Sequence, residues 1–204
     1  MDKPTRLFDL LPYRKATKPD RAVLVAKKEG KWNKIFIDEY IEKTDAVSFG
    51  LLHKGIGRGA SVALISSDRP EWNMVDLGVQ QVGAVLVPIY PTISEDDYRY
   101  ILKDCEVRYL VLENENMLRK VKAVLPDLPT LQGVCLIDKH DSDDSCCTLE
   151  SLMRAGRIDK HDLRESIEAL PTSLCLGKFQ SPHECVGNLR HRLAIRARHG
   201  RKLV

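Results

Sequence analysis

An α/β fold built on a mostly parallel sheet, covered by helices on both faces and preceded by a β-hairpin, is predicted by three observations. Apolar runs at 62–66, 84–89, 108–112 and 133–138 alternate with segments of helical period. These runs lack strict polar alternation, so they need cover on both faces, as the strands of a parallel sheet do. Ahead of them, runs at 22–28 and 31–37 flank Glu29-Gly30, and a glycine between two such runs marks a hairpin turn.

The elements follow in order. Asp38 is read as the N-cap of the first long helix, whose inner face carries Tyr40, Ile41, Thr44, Val47, Ser48, Leu51 and Leu52. Gly55, Gly57 and Gly59 supply its stop, because glycine enters the left-handed region at little steric cost. After the strand at 62–66, Pro70 suits the first turn of a helix over 70–81, where its missing N–H has no partner to lose. Trp72, Val75, Val79 and Val82 share one side of that helix, which assigns Trp72 to packing rather than to a substrate gate.

Ser94 opens the next helix. The tetrad Ser94-Glu95-Asp96-Asp97 has the form of a capping box and sets acids at the positive end of the helix dipole. Its buried stripe is Tyr98, Ile101, Leu102 and Cys105. Beyond the strand at 108–112, Met117, Leu118, Val121, Val124 and Leu125 mark a further helix, ended by Pro126 and Pro129. A fourth parallel strand at 133–138 is bounded by a polar loop at 139–145.

Composition excludes some classes. No stretch approaches the roughly 20 uncharged apolar residues of a membrane-spanning helix. The first 18 residues intersperse Asp2, Lys3, Arg6, Asp9, Arg14 and Lys15 among short apolar clusters, unlike a secretory signal, and a cytoplasmic location is expected. Six cysteines, Cys105, Cys135, Cys146, Cys147, Cys175 and Cys185, occur without a C-x-x-C pair and read as free thiols.

Charge divides the chain near Pro171. Beyond that point lie Lys178, Arg190, Arg192, Arg196, Arg198, Arg201 and Lys202 against the single acid Glu184, while the whole chain carries a net charge of +3. Residues 1–170 are therefore read as the α/β unit, and 171–204 as a basic tail of different composition. His183, Cys185, His191 and His199 fit no compact zinc spacing, so no metal site is assigned. The basic stretch from Arg190 to Lys202 has the charge to bind nucleic acid or an anionic membrane, but no aromatic follows Phe179. A solvated, disordered tail is the preferred reading, and no nucleic-acid partner is expected.

In doubly wound sheets, ligands bind beyond the carboxyl ends of the strands. Those ends here are Ser66-Ser67-Asp68, Tyr90-Pro91-Thr92 and Glu113-Asn114. Ser67, Asp68, Tyr90 and Thr92 are the candidate substrate-binding residues; no catalytic residue is assigned.

The motifs Gly55-Ile56-Gly57-Arg58-Gly59, Val62-Ala63-Leu64-Ile65-Ser66, Arg69-Pro70-Glu71-Trp72 and the run from Gly83 to Thr92 occur in an order that resembles AMP-forming acid–CoA ligases, and among these the long-chain fatty acid–CoA ligases. The stretches 95–102 and 106–111 extend the likeness. The resemblance implies the N-terminal subdomain of an adenylate-forming ligase. In the full-length family, ATP and Mg²⁺ convert a fatty acid to an acyl-adenylate, and the CoA thiol then displaces AMP.

Two positions depart from the pattern. Ala60 stands where an acid is usual, a loss expected to affect loop hydrogen bonding, and Asp68 where asparagine is common. A larger departure comes later. The resemblance calls for a Ser/Thr/Gly-rich phosphate loop ending in Pro-Lys-Gly, where this chain reads Leu174-Cys175-Leu176-Gly177-Lys178-Phe179-Gln180-Ser181-Pro182-His183. One glycine does not build the nest of backbone donors that a triphosphate needs, so Gly177-Lys178 is read as incidental.

The chain alone is therefore expected to be inactive and to bind ATP, Mg²⁺ and CoA weakly at best. A truncated or frame-shifted product, out of frame from about Pro171, is the expected origin of the break. Two alternatives are a binding or dimerising module and a nucleic-acid or membrane binder acting through its basic tail. Self-association through uncovered apolar surface is expected.

Overall fold

The computed structural model describes residues 4–138 and 147–156. The tail from 171 onward, with Gly177-Lys178, the His and Cys residues rejected above as a zinc site and the arginine cluster, lies outside the described residues, as does the 139–145 loop.

Helix α1 (Leu10–Thr17) precedes a hairpin of β1 (Leu24–Lys28) and β2 (Lys31–Ile35). Glu29 and Gly30 both take positive φ, 51° and 80°, which suits the turn to the right-handed twist of its strands. Next comes α2 (Ile37–His53), then the alternation β3 (Ser61–Ile65), α3 (Pro70–Gln81), β4 (Val85–Ile89), α4 (Glu95–Asp104), β5 (Tyr109–Leu112), α5 (Glu115–Val121) and β6 (Gly133–Leu136). The short strand β7 (Cys147–Thr148) and helix α6 (Leu149–Gly156) end the described chain.

Among the described residues the sheet has five strands, all neighbours parallel, in the order β4-β3-β5-β6-β7. The chain leaves β3 to one side for β4, then crosses back to place β5 on the other. β3 and β5 therefore flank a topological switch point.

Each strand divides its side chains between two apolar layers. Val62, Leu64, Tyr109, Val111 and Cys135 meet Val47 and Leu51 of α2, Val75 and Val79 of α3, and Leu149 and Leu152 of α6. Ala63, Ile65, Leu110, Leu112 and Leu136 meet Tyr98 and Leu102 of α4 and Met117 and Val121 of α5. A smaller cluster, Phe8, Leu11, Ile37, Tyr40, Met74 and Leu77, fastens the N-terminal segment to α2 and α3. The two-faced cover expected from the apolar strands is present, with Trp72 packed half-buried against the first layer.

Local readings held where the signal was local. Pro70 occupies the first turn of α3, and the amides of Gly55 (φ 72°) and Ile56 close α2 by donating to the carbonyls of Leu52 and Leu51 at 2.8 and 2.9 Å. Ser94 caps α4 in a full capping box, its Oγ accepting from the Asp97 amide at 3.2 Å. Ala60 keeps its loop bonded through the backbone, its N–H donating to Gly57 O at 3.0 Å and its carbonyl accepting from Val85 N at 2.8 Å.

Two readings are corrected, and further elements are added. Asp38 lies inside the first turn of α2, because Phe36 is the last extended residue (φ −92°, ψ 165°) and takes the cap position; Asp38 pairs with Lys15 at 2.6 Å instead. The helix read through Val124 and Leu125 stops at Val121, and Leu125–Asp127 forms a separate 3-10 turn that accommodates Pro126. Helices α1 and α6 and strand β7 had no counterpart in the sequence reading.

Candidate functional site

The switch point gathers residues from three strand ends. Ser66 follows β3 directly, its buried hydroxyl donating to the Ser67 carbonyl at 2.9 Å. Ser67 then holds the Glu113 carboxylate twice, its amide donating to Oε2 at 2.9 Å and its hydroxyl to Oε1 at 2.8 Å. Glu113 follows β5 directly, and its own amide donates to Ile65 O at 2.9 Å, so the two loops are stitched at backbone and side chain.

Arg69 adds β6. Its guanidinium donates to both oxygens of Asp138, at 2.5 and 2.9 Å, and its Nε to Glu71 at 2.8 Å. Asp138 is itself fixed by its amide donating to Glu113 O at 2.8 Å. The Asp138 and Glu71 carboxylates hold the guanidinium firmly protonated against the cost of its partial burial. At Glu71, desolvation pushes the carboxyl upward, but the hydrogen bond and charge of Arg69 outweigh it and leave the carboxyl below its usual range.

The four predicted site residues are divided by this geometry. Ser67 enters the switch-point cluster, and Asp68 follows it on the same exposed turn. Tyr90 and Thr92 lie after β4, the outer strand, and are solvent-exposed, Tyr90 to 79%. The Tyr90 carbonyl accepts the buried Tyr98 hydroxyl at 3.0 Å, so its backbone is anchored while its ring stands free. Arg69 and Asp138 went unassigned in the sequence reading. Each falls within a few residues of a strand's carboxyl end, and Arg69 also opens the Arg69-Pro70-Glu71-Trp72 motif.

Chemically the cluster is rich in acceptors. Three carboxylates, Glu113, Asp138 and Glu71, face a guanidinium, a hydroxyl and an amide that they already engage. Among the described residues, no group of three or more His, Cys, Asp or Glu side chains is placed to share a metal ion. An open groove of about 440 Å³ lies elsewhere, between α1 and α2, lined by Leu11, Tyr13, Arg14, Lys18, Val23 and Tyr40, and takes no residue from the strand ends.

Fold and comparison converge. The sequence profile of the AMP-binding enzyme family matches residues 12–169. The chain belongs to the AMP-binding enzyme family. Long-chain-fatty-acid–CoA ligase FadD15 of Mycobacterium bovis is 29% identical over 153 residues, which cover 74% of this chain and 25% of that protein. Long-chain-fatty-acid–CoA ligase ACSBG1 of Rattus norvegicus is 29% identical over 133 residues, 64% of this chain and 18% of its own length. The chain thus spans a quarter or less of these relatives.

Acetoacetyl-CoA synthetase from Streptomyces lividans superposes with a TM-score of 0.64 at 17% identity, over 72% of this chain and 25% of that one. At that identity the likeness is one of fold. No helix among the described residues is long and apolar enough to cross a membrane.

Proposed function

We propose that residues 12–169 are the front part of a fatty acid–CoA ligase acting through an acyl-adenylate. The observation that carries this reading is the ordered run of motifs from Gly55 to Thr92 on a sheet of the family's fold, matched by relatives named as long-chain-fatty-acid–CoA ligases. In such a reaction a carboxylate oxygen attacks the α-phosphorus of ATP and pyrophosphate leaves; the CoA thiol then attacks the acyl carbon and AMP leaves. Both steps need cations and backbone N–H groups aimed at developing negative charge.

The strand ends of this chain meet only part of that need. Arg69 is held by Asp138 and Glu71, and the Ser67 donors are held by Glu113. The 204 residues contain no loop ending in Pro-Lys-Gly. Ser67, Asp68, Tyr90 and Thr92 are accordingly proposed as substrate-side residues of an assembly that draws its ATP, Mg²⁺ and CoA chemistry from further sequence. The chain by itself is proposed to be inactive.

The purified 204-residue protein, given ATP, Mg²⁺, CoA and oleate, is expected to yield neither oleoyl-CoA by mass spectrometry nor pyrophosphate; turnover of either product overturns the inactivity. Reading the coding DNA beyond codon 170 in all three frames tests the family chemistry separately. A Ser/Thr/Gly-rich loop ending in Pro-Lys-Gly is expected in one frame, and its absence from all three counts against a shifted ligase gene.

A second reading is an association module. It is favoured by the exposure of Trp32 and Val25 on the hairpin, of Tyr90 ahead of α4 and of Tyr100 on it. A single monomeric species by light scattering at all concentrations rejects it.

A further inference from the structure

The geometry points to a redox-active dithiol at the far edge of the sheet: Cys135 and Cys147 close to an intrachain disulfide when a two-electron oxidant of the hydroperoxide class reaches Cys147. This goes beyond the ligase reading and does not depend on it.

Cys135 belongs to β6 and Cys147 to β7, and the parallel register pairs them directly. Both join the apolar layer beneath α2, α3 and α6, so their side chains leave the sheet on one face. Neighbouring strands lie about 4.8 Å apart, within the roughly 4.4–6.8 Å that a disulfide accepts between Cα atoms. β7 is two residues long and is the last strand of the sheet among the described residues, so drawing the sulfurs together distorts little.

The two thiols are unequal. Cys135 is fully buried, whereas Cys147 is half-buried, so Cys147 meets the oxidant first. Four elements or their ends present groups to it: Cys135 from β6, Ser151 from α6 with its Oγ at 3.1 Å, Tyr109 from β5, and Lys54 just past α2. The hydrogen bond from Cys135, then those from Ser151 and Tyr109 and the charge of Lys54, outweigh burial and bring the Cys147 thiol down to about 5. The thiolate, which is the nucleophile, therefore dominates at neutral pH.

The reaction balances with hydrogen peroxide. The Cys147 thiolate attacks one peroxide oxygen, the O–O bond breaks, and the departing hydroxide takes up a proton to become water, leaving a sulfenic acid. The Cys135 sulfur then attacks the Cys147 sulfur; the S–O bond breaks, the S–S bond forms, and the hydroxyl leaves as water with the Cys135 proton. The two thiols lose two electrons, and the peroxide gains them.

The test treats the full 204-residue chain with equimolar hydrogen peroxide at neutral pH, blocks remaining thiols with iodoacetamide, and maps peptides without reduction. A Cys135–Cys147 linked peptide is expected, absent from Cys147→Ser and retained in Cys146→Ser. Recovery of both residues alkylated, or of Cys147 joined to another cysteine, overturns the proposal. A second reading needs no variant: the alkylation rate of Cys147 in the untreated protein should be half-maximal near pH 5. A midpoint near the ordinary thiol value of about 8.5 would show that Cys135, Ser151, Tyr109 and Lys54 do not act on the Cys147 sulfur as one site, and would overturn the paired-thiol geometry on which the proposal stands.

Discussion

Thr44 is fully buried between α2 and α3, and among the described residues its hydroxyl is a buried side-chain oxygen with no partner. Its neighbour Ser48 is served well, bonding the carbonyls of Thr44 and Gly78 at 3.1 Å and reaching Gln81. An unpaired buried hydroxyl costs about 1–3 kcal/mol, so Thr44→Val, which keeps the shape and deletes the oxygen, is expected to raise stability by about 1 kcal/mol. A denaturation midpoint that falls instead would mean the hydroxyl is satisfied. Sequence alone showed Thr44 on the inner face of its helix. It did not show that Ser48 and Gln81 would pair with each other and leave Thr44 out, because that choice depends on how two helices 30 residues apart cross.

At the scale of elements, α4 is the clearest case of local specification. Ser94 and Asp97 exchange hydrogen bonds across the first turn, with Ser94 N donating to Asp97 Oδ2 at 3.3 Å and Asp97 N to Ser94 Oγ at 3.2 Å. Ser94→Ala should cost about 1 kcal/mol, and Ser94→Asp should recover most of it, since aspartate caps as well. Equal losses for both variants would show that the loss does not come from capping, since aspartate restores the cap acceptor.

This motif was legible because its partners lie three residues apart. β7 was not, since two residues carry no period. α6 was missed for a different reason: its place is set by close approach to α2, where a Cβ on Gly50 would run into the Leu152 carbonyl. The pairing of Ser67 with Glu113, separated by 46 residues, was hidden for a third. It exists only because the sheet places β5, not β4, on the far side of β3, an order that side-chain patterns do not encode.

Across the whole molecule, burial is uneven. β3 and β5 are apolar, covered on both faces and paired on both edges, whereas the β1–β2 hairpin stands apart as its own two-stranded sheet with Trp32 68% exposed. Local opening free energies follow such differences. Hydrogen exchange should therefore leave the amides of β3 and β5 protected longest and release those of the hairpin first. Uniform protection across both would show that hairpin and sheet open as one unit.

The strand order also bears on how the chain is made. β3 is the first strand of its sheet to leave the ribosome, yet it ends between β4 and β5. Its pairing with β4 closes one side some twenty residues later, and the other side waits until Leu112 has emerged. During that interval the nascent chain carries an apolar strand with an open row of N–H and C=O groups, the kind of edge that templates pairing between chains. Slow translation through residues 90–112 should prolong that exposure, and a chaperone engaging the nascent chain has its natural window there.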